Sequence, residues 1–122
     1  MVSPEERLSR GHTAQAITQA VVRLVRDYTG RGPTQAHTTI TDDVIIVVLR
    51  DTLLKAERRL VDDGQSQAVR DMRRRFQSAM QRELVAVVTE HSGRSVEAFL
   101  SDNVVDPDVA VEVFVLGPRG EA

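Results

Sequence analysis

Val22-Arg23-Leu24-Val25-Arg26-Asp27-Tyr28-Thr29-Gly30-Arg31 leads, after a short interval, into Val44-Ile45-Ile46-Val47-Val48-Leu49. The same pattern returns as Val85-Ala86-Val87-Val88-Thr89-Glu90-His91-Ser92-Gly93-Arg94, followed by Val109-Ala110-Val111-Glu112-Val113-Phe114-Val115-Leu116. Each passage reads as the end of an amphipathic helix, a Gly-Arg turn and a hairpin whose second strand is apolar. Thr29-Gly30-Arg31 aligns with Ser92-Gly93-Arg94, and Asp43-Val44 with Asp108-Val109. The expectation is a duplicated α-β-β unit, spanning 13–50 and 66–116, within one α+β domain at 13–117.

Working outward, Ala14, Ile17, Val21, Leu24 and Tyr28 recur every three or four residues, which places them on one helical face. Gly30 suits the C-cap, because glycine enters the left-handed region without steric cost, and Pro33 blocks continuation. Thr34–Thr41 reads as a strand, Asp42-Asp43 as a turn, and Val44–Leu49 as the return strand. That return strand is apolar on both faces, the mark of a central strand covered on both sides. Asp51 or Thr52 is expected to cap a short linking helix that runs to about Val61. A long helix follows from Ser66 to His91, with Val69, Met72, Phe76, Met80, Leu84 and Val87 along one side. Strand Val96–Leu100, a wide loop Ser101–Pro107 and strand Val109–Leu116 complete the order α-β-β-α-α-β-β. Pairing the two most apolar strands at the centre gives a four-stranded antiparallel sheet of order 1-2-4-3, with the long helices on one face. The polar ends are read as a flexible N-terminal tail, 1–12, and a C-terminal tail, 118–122.

Composition narrows the function classes. The chain has 122 residues, 41% hydrophobic but only 3% aromatic, so its core must be built from aliphatic side chains. Absence of cysteine excludes disulfides, zinc–thiolate sites and cysteine nucleophiles. A net charge of -2 provides no global basic field for nucleic acid or anionic membrane. The N-terminus lacks the apolar stretch of a signal peptide, and the longest apolar run is too short to span a bilayer. A cytoplasmic protein is expected. The outward side chains of Val44–Leu49 need a cover, and a second copy of the chain would supply it, so a homodimer is expected.

Candidate chemistry is sparse. Tyr28-Thr29-Gly30-Arg31-Gly32-Pro33-Thr34 combines glycines with Arg31 in the manner of an anion-binding turn. It follows a helix C-terminus, however, where the dipole is unfavourable, and a helix stop explains it better. Arg50 precedes a helix start, a better anion position in principle, but Asp51 is expected to fill that start as a cap. Arg70, Arg73, Arg74 and Arg75 form a basic cluster that could contact phosphates, whereas a solvated helix face is the simpler account. Asp102, Asn103, Asp106 and Asp108 could ligate a hard cation, although their spacing is not that of an EF-hand and Asx turns account for them as well. His12, His37 and His91 are scattered. No nucleophile–base–acid set is visible, so neither catalysis nor a cofactor is expected.

Three stretches carry a family resemblance: Val25 to Thr34, then Leu49-Arg50-Asp51-Thr52-Leu53 with Glu57, then Ser101-Asp102-Asn103 with Asp106-Pro107-Asp108. Together they resemble the small bacterial family called YbcI-like or MpsC-like, named for a component of a sodium-translocating, membrane-potential-generating system. The resemblance covers roughly residues 13–117. It implies a non-enzymatic accessory of a membrane sodium or inorganic-carbon transport system, with a membrane transport protein as its partner and membrane association only through that partner. On this reading Arg31, Arg50, Asp102, Asn103 and Asp106 are the candidate interaction surface. A nucleic-acid or phosphate-ligand module using the Arg70–Arg75 face is the alternative. A small-ligand sensor at a dimer interface is the third reading.

Overall fold

Seven elements follow one another in the computed structural model, which describes residues 2–119. They are α1 (Pro4–Thr29), β1 (Gln35–Ile40), β2 (Val44–Arg50), α2 (Lys55–Asp62), α3 (Ser66–Ser92), β3 (Val96–Val105) and β4 (Asp108–Leu116). The strands form one antiparallel sheet of order β1-β2-β4-β3, as the apolar character of β2 and β4 implied. Of the expected C-terminal tail, residues 120–122 lie outside the described residues, as does Met1 at the other end.

The first helix starts nine residues earlier than its hydrophobic period suggests, so residues 4–12 are helical rather than a loose tail. Local chemistry accounts for this. The Glu6 amide donates to Ser3 Oγ at 3.1 Å, Pro4 occupies the first turn, and Glu5 and Glu6 favour the positive end of the helix dipole. Gly30 ends α1 at φ 84° and Gly93 ends α3 at φ 71°, both in the left-handed region.

Alternation assigns the faces of the sheet. Ile45, Val47 and Leu49 of β2, with Ala110, Phe114 and Leu116 of β4, point towards the helices. There they meet Ile17, Val21 and Val25 of α1 and Met80, Leu84 and Val88 of α3. Phe99 of β3 joins this layer with its ring 5.2 Å from that of Phe114. Each fully buried aliphatic side chain here contributes about 1.5–3 kcal/mol. The short helix α2 packs instead beside the start of α3, where Val61 joins Leu53, Val69 and Val105 in a second small cluster.

Three local expectations change. Ser101–Val105, read as loop, belongs to β3, and the β3–β4 turn shrinks to Asp106-Pro107. Polar residues conceal the strand there, because Asp102 and Asn103 alternate across the sheet like any strand pair. The buried face of α3 is Val69, Arg73, Gln77, Met80, Leu84 and Val88, so Met72 lies outside it and is half exposed. Finally, α2 begins at Lys55, and neither Asp51 nor Thr52 caps it. The Leu54 amide donates to Glu57 Oε1 at 2.8 Å instead.

Glu57 and Arg73 explain the rotated face. Arg73 is 6% exposed, pairs with both carboxylate oxygens of Glu57, and donates to the Thr52 carbonyl at 2.7 Å. The pair ties α2, α3 and the segment after β2 together where the chain passes between its halves. Removing one partner of such a pair strands the other, at a cost of about 3–5 kcal/mol. Arg73→Ala should therefore lower unfolding stability by about that amount in urea titrations. The double variant Arg73→Met, Glu57→Leu should recover much of the loss. A loss below about 1 kcal/mol for the single variant would contradict this role.

Candidate interaction face

The side of the sheet away from the helices is built from the same strands by the opposite parity. Val44, Ile46 and Val48 of β2 lie beside Val109, Val111, Val113 and Val115 of β4, all partly exposed. Ala98, Leu100 and Val104 extend the patch onto β3, where Leu100 is 57% and Val104 45% exposed. The β1 edge of this face is polar, with His37 and Thr39 opposite Val48 and Ile46. Arg50 ends β2 on the same side, and Asp102 sits across from Val111. Four strands about 4.8 Å apart and seven residues of about 3.3 Å each make this face roughly 20 Å by 23 Å. No described element covers it.

The five residues expected to form one surface are dispersed. Arg50 is exposed at the end of β2, and Asp106 is exposed in the β3–β4 turn at the same end of the sheet. Asp102 is on the β3 edge, paired with Arg74 at 3.2 Å, and the Asn103 amide together with Arg74 holds its carboxyl below the usual range. Arg31 is occupied within the fold. Its guanidinium donates to Asp51 Oδ2 at 2.9 Å and to the Leu53 carbonyl at 2.6 Å. Asn103 is 6% exposed and faces the helices, so it is not part of a surface.

The junction after β2 shows why the local motifs misled. Asp51 adopts φ 60°, unusual for a residue with a Cβ. Arg31 and Arg58 hold its carboxylate, while its amide donates to the Asp108 carbonyl at 3.2 Å. Asp108 in turn accepts from Thr52 Oγ1 at 3.1 Å and the Leu53 amide at 3.0 Å. These carboxylates fasten the β2 exit to the start of β4. The basic cluster on α3 is divided, since Arg73 is buried against Glu57 and Arg74 meets Asp102, while Arg74 and Arg75 remain exposed. No group of three metal-ligating side chains occurs among the described residues.

The sequence reading also missed Glu112. It falls on the helix-facing side of β4, opposite Val47 and Ser101, and is 2% exposed. Gln77 Nε2 donates to its Oε1 at 2.8 Å and Ser101 Oγ lies 3.1 Å from the same oxygen. Gln77 Oε1 accepts from Asn103 Nδ2 at 3.4 Å. Glu112 Oε2 and Asn103 Oδ1 are buried without partners among the described residues, and both residues line a cavity of about 20 Å³. Burial pushes the Glu112 carboxyl up to about 7, against the smaller opposing effect of the Gln77 and Ser101 hydrogen bonds. Its signal was present in the alternation Ala110, Glu112, Phe114, Leu116, in which one carboxylate interrupts an apolar row.

Residues 9–117 match the family described as Na+-translocating membrane potential-generating system (MpsC), and the chain belongs to that family. No curated protein and no solved structure matches it. No helix among the described residues is long and apolar enough to cross a membrane.

Glu112 makes stability depend on pH. Folding raises its pKa from an ordinary 4.5 to about 7, so the folded state holds this proton more tightly than the unfolded chain does. The stabilisation is complete below pH 4.5 and is lost as pH rises through about 7. It amounts to about 3 kcal/mol. Glu112→Gln should flatten this slope in denaturant titrations between pH 5 and 8 and raise stability at pH 8. An unchanged slope would contradict the assignment.

Proposed function

We propose that this chain is a non-enzymatic accessory protein that works by protein–protein contact. It would be cytoplasmic and homodimeric, engaging a membrane-embedded sodium-translocating partner. The open apolar face of the sheet carries this reading. Ten contiguous aliphatic side chains on a folded domain are costly to leave in water, and patches of this kind mark contact surfaces.

The family name supports the connection with a sodium-translocating system. With no spanning helix among the described residues, a part in such a system would be exercised through contact with a protein that does span. A second copy is the occupant that best fits the face itself. The surface is largely aliphatic, which suits face-to-face sheet packing across about 10 Å. A two-fold operation brings the same patch to both sides. A face of roughly 20 Å by 23 Å supplies a little over half of the roughly 800 Å² per partner typical of stable complexes, so the polar rim would take part in the contact. Burial of Arg73 against Glu57 and pairing of Arg74 with Asp102 leave a weaker basic face on α3, which favours the contact reading over nucleic-acid binding.

Light scattering after size exclusion tests the dimer. The wild-type protein should have about twice its chain mass of 13.5 kDa. Leu100→Asp, an exposed edge position, should shift it to monomer while leaving the circular dichroism spectrum intact. A folded wild-type monomer at micromolar concentration would contradict the proposal.

A further inference from the structure

A cleft of about 340 Å³ opens at the end of the sheet opposite Arg50, on the helix side and away from the open face. Its floor is the margin of the core, formed by Ile40, Ile45 and Leu116. Among the described residues its charged lining consists of three guanidinium groups, Arg10, Arg94 and Arg119, against one carboxylate, Glu6. The carboxylates that pair with these groups, Asp42 and, at 3.7 Å from Arg94, Asp43, are not part of the lining, so the positive charge is confined to the cleft wall.

The three arginines come from different elements and converge on the β1–β2 turn. Arg10 of α1 and Arg119 beyond β4 both pair with Asp42 Oδ1, the latter at 3.1 Å. Asp42 is 69% exposed and is not among the residues that line the cleft. Arg10 holds the Asp42 carboxyl below the usual range. Arg94 is fixed more firmly. It donates to the Gly117 carbonyl at 2.6 Å and to the Asp42 carbonyl, and its Nε is buried without a partner among the described residues. Hydroxyls of Ser9, Thr13 and Ser92 add neutral donors around the same space.

An apolar floor with a few convergent polar groups is the general form of a small-molecule site. Guanidinium groups in particular match carboxylate and phosphate oxygens. We propose that this cleft binds a small amphipathic organic anion, its carboxylate or phosphate head meeting Arg10 and Arg119 and its aliphatic body resting on Ile40, Ile45 and Leu116. Asp42 is then an internal competitor, a carboxylate that occupies two of the arginines until a ligand arrives. The site stands apart from the open sheet face and does not depend on the contact role proposed above.

Calorimetric titration with hexanoate and hexyl phosphate tests it, with hexanol and inorganic phosphate as controls. Either or both amphiphiles should bind at least tenfold more tightly than either control, and the stronger of the two identifies the head group. Arg10→Gln with Arg119→Gln should weaken binding about tenfold or more, and Asp42→Asn should strengthen it. All three positions are surface-accessible, and circular dichroism verifies that each variant is folded. Absence of binding at millimolar concentration would overturn the proposal, as would equal binding of inorganic phosphate or unchanged binding in the double arginine variant.

Discussion

Pairing of β2 with β4 is the constraint from which the rest of the structure follows. These strands are aliphatic on both faces over most of their length, so neither can sit at an edge without exposing both sides. Placed side by side at the centre, they force β1 and β3 to the flanks. Among the described residues there are then two long helices for one face of the sheet and none for the other. Hydrophobicity distributed evenly over both faces is therefore more than the fold alone can bury. That surplus is what makes a contact role the natural reading.

Several arginines in this chain serve as fasteners within the fold. Arg31 and Arg58 hold Asp51, Arg73 holds Glu57, and Arg94 holds backbone carbonyls at the opposite end of the sheet. A guanidinium suits this work because its planar fork can satisfy a carboxylate and a carbonyl together. The two ends of the sheet are consequently closed by charge, while its middle is closed by aliphatic packing. Arg10 and Arg119 differ, since their partner is an exposed carboxylate on a hairpin turn. Exchange there is far less costly than at Arg73.

Where the sequence was legible, hydrophobic period made it so. Sheet order, the two long helices and both glycine C-caps follow from aliphatic alternation and from Gly30 and Gly93. What stayed hidden was polar. Asp102 and Asn103 looked like loop residues because their partners, Arg74, Gln77 and the Arg70 carbonyl, come from a helix about thirty residues away. Asp51 looked like a cap because its role as an anchor requires Arg31 and Arg58. Arg73 looked solvent-facing because its buried partner, Glu57, comes from another helix, and the alternation that places Glu112 inside does not reveal that Gln77 will meet it there. The start of α1 was hidden for a different reason: Ser3-Pro4-Glu5-Glu6 is a strong start signal that precedes any apolar period.

The account rests on the open face of the sheet being a contact surface between copies. The chain has no native cysteine, so a single one introduced at Thr39, on the polar edge of that face, can carry a unique spin label. Pulsed dipolar spectroscopy on this labelled protein is the most direct test. A narrow intermolecular distance that disappears on dilution with unlabelled chain is the predicted result. An absence of dipolar modulation from folded protein at tens of micromolar would show that the face meets no second copy, and would contradict the account.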